Sequence, residues 1–228
     1  VITSRRNETI RLVHRLLGSR RHRARTGLFA VESEDLVEAA LAEGIEPVEL
    51  LVAGETVAPE LLASISTLGH APRVIGVFRS SDLPSGRRDI VVALWRVSDP
   101  GNVGTILRSA DAFAASVSLA RGCADPLGPR AVRASAGAIF RVPLVAWEDL
   151  PERRVALVAH GGEPLPEVRL EPPLALLLGA EREGLPNELV ARGDAVTIPL
   201  PGQAESLNVA AAAAIALYEL SRREFEHG

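Results

Sequence analysis

The chain has 228 residues, 47% of them hydrophobic, enough to bury a sizeable core and too apolar for a disordered or fibrous class. Its single cysteine, Cys123, excludes an internal disulfide, and one Cys with five scattered His offers no zinc ligand set, so no metal is expected. The formal net charge of −4 weighs against a plain polyanion binder, but its distribution is uneven. Residues 1 to 25 hold Arg5, Arg6, Arg11, Arg15, Arg20, Arg21, Arg23 and Arg25 against one acid, Glu8, so the rest of the chain is acidic. A phosphate-binding arm and a solvated basic helix face fit this pattern equally. The longest apolar runs, such as Leu174 to Leu178 and Ala210 to Ala216, are too short to span a bilayer, and no signal-peptide pattern opens the sequence. No membrane partner is expected, and the expected compartment is the cytoplasm.

In chain order, the pattern predicts a helix from about Asn7 to Leu17, a basic loop from Gly18 to Gly27 and a short strand at Leu28 to Val31. Ser33 is a plausible N-cap for a helix over Glu34 to Ala42, where Leu36, Val37, Ala40 and Leu41 recur at helical spacing. Two β-like runs, Val48 to Val52 and Arg73 to Phe78, flank a helical segment near Pro59 to Leu68. These make a small α/β unit over residues 1–80. Turn formers and charges crowd the stretch from Ser80 to Asp89, which places a linker at 81–89 and a second unit at 90–228.

Continuous apolar runs recur in the second unit at Ile90 to Trp95, Val155 to Ala159, Leu174 to Leu178 and Ala195 to Ile198. Helical patterns at Val103 to Phe113, Pro129 to Ile139 and Ser206 to Arg222 alternate with them, so a parallel sheet covered by helices on both faces is expected. Ligands of such sheets bind beyond the carboxyl ends of the strands. Three loops there stand out: Ser98 to Gly104, Gly179 to Pro186, and Ile198 to Gly202 followed by Ser206-Leu207-Asn208-Val209. Singly, Asn102 and Ser206 read as helix caps and Gly179 as an ordinary turn glycine.

Together the loops resemble the three signature motifs of the SpoU branch of the SPOUT RNA methyltransferases. The matching residues are Asn102, Gly104 and Arg108; then Leu178, Gly179, Glu181, Gly184 and Leu185; then Ile198, Pro199, Ser206, Leu207, Asn208 and Val209. Arg133 to Ala138 looks like the family's segment between motifs, and Phe29-Ala30-Val31-Glu32 like the start of its N-terminal RNA-binding domain. Ser33 and Ala180 stand where the family often has Gly and Asn.

The resemblance implies a C-terminal trefoil-knotted parallel sheet preceded by a small α/β RNA-binding domain, a homodimer, S-adenosylmethionine as methyl donor, and a ribose 2′-hydroxyl as acceptor. The N-terminal unit resembles the module of members acting on 23S ribosomal RNA, antibiotic-resistance members included; a transfer RNA substrate is the alternative. Leu178, Gly179, Ile198, Leu200 and Leu207 would hold the donor, with the adenosine close to the Gly179 backbone. Asn102, Ser206 and Asn208 would fix ribose or donor, and Glu181 would orient a neighbour or pair across the dimer. Arg108 would hold the target phosphate or stabilise the forming alkoxide, because a guanidinium stays protonated and is a poor base. Arg20, Arg21, Arg23 and Arg25 would dock RNA. Two rivals are weaker: a non-catalytic RNA binder predicts erosion at Asn102, Arg108 or Ser206, and a nicotinamide enzyme needs a G-x-G-x-x-G loop that Gly101 to Gly104 does not supply. Cys123 lacks a Pro-Cys signature and a nearby His, so it reads as structural.

Overall fold

A computed structural model describes residues 1–225, so Glu226 to Gly228 at the end of the expected second unit lie outside the described residues. Asn7 caps α1 (Glu8–Gly18) by accepting from Thr9 and Ile10 N–H, and α1 buries Ile10, Val13, Leu16 and Leu17. The expected basic loop is instead a second helix, α2 (Arg20–Thr26), because Ser19 caps it and Gly27, at φ 65°, ends it. There follow β1 (Leu28–Glu32), α3 (Glu34–Ala42), β2 (Glu49–Val52), α4 (Pro59–Ile65) and β3 (Val74–Arg79). The three strands form an antiparallel sheet in the order β1-β3-β2.

Alternation divides this sheet. Ala30, Ile75 and Val77 pack with α1 and α4, whereas Phe29, Val31, Val74 and Phe78 join α3 in a core continuous with the rest of the chain. Phe29, Phe78 and Phe140 form an aromatic cluster across that boundary, with centroids 5.7 to 6.3 Å apart. The buried carboxylate of Glu32 accepts from Ser66 Oγ (2.7 Å), Thr67 N–H (2.8 Å) and Arg133 Nη1 (3.3 Å). The first 80 residues therefore pack as a unit against the helix Pro129–Ser135 and the turn that follows it.

The larger part contains β4 (Ile90–Leu94), α5 (Pro100–Ala112), β5 (Ser116–Leu119), α6 (Pro129–Ser135), β6 (Leu144–Val145), β7 (Arg154–Leu157), β8 (Glu163–Pro164), β9 (Leu174–Leu178), α7 (Asn187–Val190), β10 (Asp194–Thr197) and α8 (Val209–Phe225). Its seven strands are parallel, in the order β6-β5-β4-β9-β7-β10-β8. On one face Ile90, Val92, Leu94, Leu174, Leu176 and Leu178 meet α5, α6 and α8; on the other Val91, Ala93, Ala175 and Leu177 meet Leu150 and Leu189. After β10 the chain recrosses the sheet to lay α8 on α5, and this part has the trefoil-knotted architecture the resemblance implies.

Several helix boundaries differ from expectation, α5 starting at Pro100 and not Val103 and α4 ending at Ile65 and not Leu68. The helix expected to run from Pro129 to Ile139 stops at Ser135, because Ala136 and Gly137 both take left-handed backbone (φ 49° and 87°). The last helix begins at Val209, not Ser206, with Asn208 receiving the N–H groups of Ala210 and Ala211. Gly104 is required by packing: a Cβ there would lie 2.4 Å from the Ala131 carbonyl oxygen, so it permits the close contact of α5 with α6.

Candidate active site

The carboxyl ends of β4, β7, β9 and β10 face one another, and the loops that follow them build the site. After β4, Asp99 and not Asn102 caps α5, accepting from the Asn102 N–H at 2.9 Å. The Asn102 side chain is thereby free to reach across. Asn208 Oδ1 is occupied by the first N–H groups of α8, at 2.9 Å from Ala210 N and 3.3 Å from Ala211 N, which turns its Nδ2 outward. That Nδ2 donates to Asn102 Oδ1 (3.1 Å), and Asn102 Nδ2 donates to Glu181 Oε1 (2.7 Å). Each amide orientation follows from the one before it, because a carboxylate at the far end can only accept. The three motifs are thus tied by one directed relay from the N-terminus of α8 to Glu181.

Beside the relay is a cavity of about 390 Å³, within the range of small-molecule sites. All five residues expected to hold the donor, Leu178, Gly179, Ile198, Leu200 and Leu207, line it, as do Glu181 and Ser206. Sequence reasoning missed Leu157 to His160, the exit of β7, although the apolar run ending there was legible. The lining mixes apolar side chains with Glu181, Arg182, Glu183 and Glu205, and Glu183 is paired with Arg96 at 3.4 Å. A ligand with both an apolar ring and polar or charged groups suits such a lining, and an adenosyl sulfonium has both.

Gly179 is also required by the fold of its own loop. A Cβ there would lie 2.1 Å from the Gly184 carbonyl carbon and 2.4 Å from Leu185 N, so the glycine admits the returning backbone of its own loop. The Gly184 N–H closes this turn on the Ala180 carbonyl at 2.9 Å. Arg108 is exposed on the solvent face of α5, outside the cavity lining and without an ion pair among the described residues.

The expected RNA-docking set needs correction. Arg23 is 7% exposed, pairs with Asp125 at 2.6 Å and donates to the Leu16 carbonyl, so it is an internal strut and not a docking residue. Arg20, Arg21 and Arg25 are exposed; Arg20 donates to the Cys123 carbonyl at 2.7 Å and Arg25 contacts His22 Nδ1 at 3.0 Å. The Cys123 thiol is buried, donates to the Leu94 carbonyl at 3.2 Å, and has its pKa pushed up mainly by burial, which suits packing and not nucleophilic attack. Among the described residues no group of three His, Cys, Asp or Glu could hold a metal ion, and no helix is long and apolar enough to cross a membrane.

A parallel knotted sheet with a donor-sized cavity at its carboxyl edge, spanned by an amide relay, defines a methyltransferase of the SPOUT class. The model of the SpoU rRNA methylase family matches residues 89–218, and the chain belongs to that family. It is 34% identical, over 90% of its length and 92% of the relative's, to the 23S rRNA (guanosine(2553)-2′-O)-methyltransferase RlmP of Bacillus subtilis. It is 33% identical, over 97% and 92%, to a 23S rRNA (uridine(2479)-2′-O)-methyltransferase of Streptomyces viridochromogenes. Among solved structures, the SpoU methyltransferase AviRb from Streptomyces viridochromogenes, in complex with the cofactor AdoMet, superposes with a TM-score of 0.85 at 29% identity, covering 96% of this chain and 99% of that one.

Proposed function

We propose that this protein transfers the methyl group of S-adenosylmethionine to a ribose 2′-hydroxyl in 23S ribosomal RNA. The observation that carries the reading is the cavity at the carboxyl edge of the sheet, joined to Asn102 and Asn208 through Glu181. Two relatives named for 2′-O-methylation of 23S rRNA match this chain over at least nine-tenths of its length, the N-terminal unit included, which favours ribosomal over transfer RNA.

When bound, the donor would supply an electrophilic sulfonium methyl; its transfer to the ribose oxygen would leave the donor as a neutral thioether and release the hydroxyl proton to solvent. Leu178, Ile198, Leu200 and Leu207 would hold its adenine away from water, and Glu181 and Glu205 in the same lining would favour its positive charge. The relay holds Asn102 and Asn208 in fixed orientations, tied to the cavity through Glu181, where they would align the ribose. Arg108 holds the phosphate beside the target ribose and favours the deprotonated oxygen electrostatically. The N-terminal unit contributes RNA contacts. A second copy of the chain covers the α5 and α8 surface, where Ile215 (42% exposed) and Tyr218 (57%) lie open and Tyr218 meets Phe113 edge-on at 6.4 Å.

Isothermal titration calorimetry with S-adenosylmethionine, with and without chelator, tests the pocket. Saturable binding unchanged by chelator is expected; failure to bind would overturn the reading.

A further inference from the structure

The basic N-terminal segment is anchored to the larger part of the fold at one definite place. Arg23 bonds Asp125 through Nε (2.8 Å) and Nη2 (2.6 Å), and Arg20 reaches the Cys123 carbonyl, so α2 is fastened to the turn that follows β5. That turn presents Arg121, which is exposed and has no ion-pair partner among the described residues. Its neighbour Gly122, at φ 101°, lies against the Arg96 side chain; a Cβ there would sit 3.2 Å from Arg96 Cγ. Arg96 in turn reaches Glu183 of the cavity loop at 3.4 Å. From the same turn the chain enters α6, where Arg130 approaches Asp99, the cap of the helix carrying Asn102, at 3.9 Å.

A continuous path of contacts thus runs from α2 across the β5–α6 turn to both sides of the active site. The exposed arginines along it are Arg20, Arg121, Arg96 and Arg130, the last two each facing one acid, and Arg21 and Arg25 are exposed on the same helix α2. The acids touching it are already engaged: Asp125 by Arg23, Glu183 by Arg96 and Asp99 by Arg130. On a chain of net charge −4, such a strip selects for a polyanion on this face.

We propose that this strip seats the phosphate backbone of the RNA segment leading to the target ribose, extending the docking surface from α2 through Arg121 and Arg130 to the mouth of the site. The inference rests on the methyltransferase reading and adds a route to it. Arg23, buried, does not touch RNA; it fixes α2 relative to the pocket so that docking and alignment occur on one body.

The test compares two triple variants with the wild-type chain. Arg21→Ser/Arg121→Ser/Arg130→Ser removes charge along the strip, and Arg5→Ser/Arg6→Ser/Arg11→Ser removes as much from the chain's other N-terminal arginines. Binding of a fluorescein-labelled RNA hairpin of mixed sequence is followed by anisotropy over a salt series, and S-adenosylmethionine binding by calorimetry. The strip variant should lose about tenfold or more in RNA affinity, and its log–log salt slope should flatten by roughly 2 to 3, as expected for three lost phosphate contacts. The control variant should keep the wild-type slope, and both should bind donor normally. Equal losses in the two variants would show that binding follows overall charge, and no loss in the strip variant would show that RNA lies elsewhere; either result overturns the proposal while leaving the donor pocket standing. Loss of donor binding by the wild-type chain would instead overturn the methyltransferase reading.

Discussion

Replacing Gly179 by alanine tests whether the cavity depends on the return of its own loop. The added Cβ would sit 2.1 Å from Gly184 C and 2.4 Å from both Gly184 O and Leu185 N, all backbone atoms that cannot rotate aside. Relieving that overlap to an ordinary carbon contact requires a shift of about 1.4 Å. The segment that must move carries Glu181 and Glu183, which line the cavity and end the relay from Asn208. Overpacking of this kind costs ~1–3 kcal/mol, so S-adenosylmethionine affinity should fall about tenfold to a hundredfold, with a lower melting temperature. Gly202→Ala is the control, since nothing lies within 4 Å of its Cβ position. Calorimetry on the three proteins decides the matter. An unchanged donor affinity in Gly179→Ala would refute the assignment of this loop as the pocket wall.

Arg108→Ala should fold and bind donor normally yet lose methyl transfer by a factor on the order of a hundred, with Arg108→Lys rescuing only part, in single-turnover assays at saturating RNA; near-normal turnover in the alanine variant would remove Arg108 from the site. Asn208→Asp keeps the oxygen that caps α8 but loses the donor to Asn102, so stability should change by less than ~0.5 kcal/mol while turnover drops about tenfold or more. Parallel losses of stability and turnover would make Asn208 a cap only. Ser33 sits at φ 150° and ψ 150°, backbone that glycine favours, while its Oγ accepts from Leu36 N at 3.3 Å. Ser33→Gly should relieve about 1 kcal/mol of strain, lose a few tenths with the cap, and raise the melting temperature by roughly 1–3 °C; a fall would show that the cap outweighs the strain.

The runs buried on both faces, Ile90 to Leu94 and Leu174 to Leu178, were legible as central parallel strands because an unbroken apolar run of strand length has to be covered on both sides. β5 was not, because Ser116 and Ser118 interrupt its pattern although both are buried; Ser116 Oγ accepts from the Arg88 N–H at 2.9 Å. The seven-residue α2 reads as a loop since nearly all its residues are arginine or polar, and the cap at Ser19 carries the signal. At the site, the resemblance to the SpoU motifs pointed to Asn102, Glu181 and Asn208, but their mutual hydrogen bonds span 79 and 106 residues and no local pattern encodes them. The contact of Gly179 with its own returning loop was not legible, because a close approach of chain to chain looks the same in sequence as one of chain to ligand. Arg23 looks like its neighbours in sequence, and only the fold places Asp125 opposite it.

The proposed reaction puts the methyl group on a ribose oxygen. Incubating the protein with S-adenosylmethionine tritiated in its methyl group and 23S rRNA from cells lacking the activity, then digesting the RNA to nucleosides and separating them, reads this directly. The label should co-elute with a single 2′-O-methylnucleoside; label on a base-methylated nucleoside, or none in the RNA, would overturn the proposed reaction.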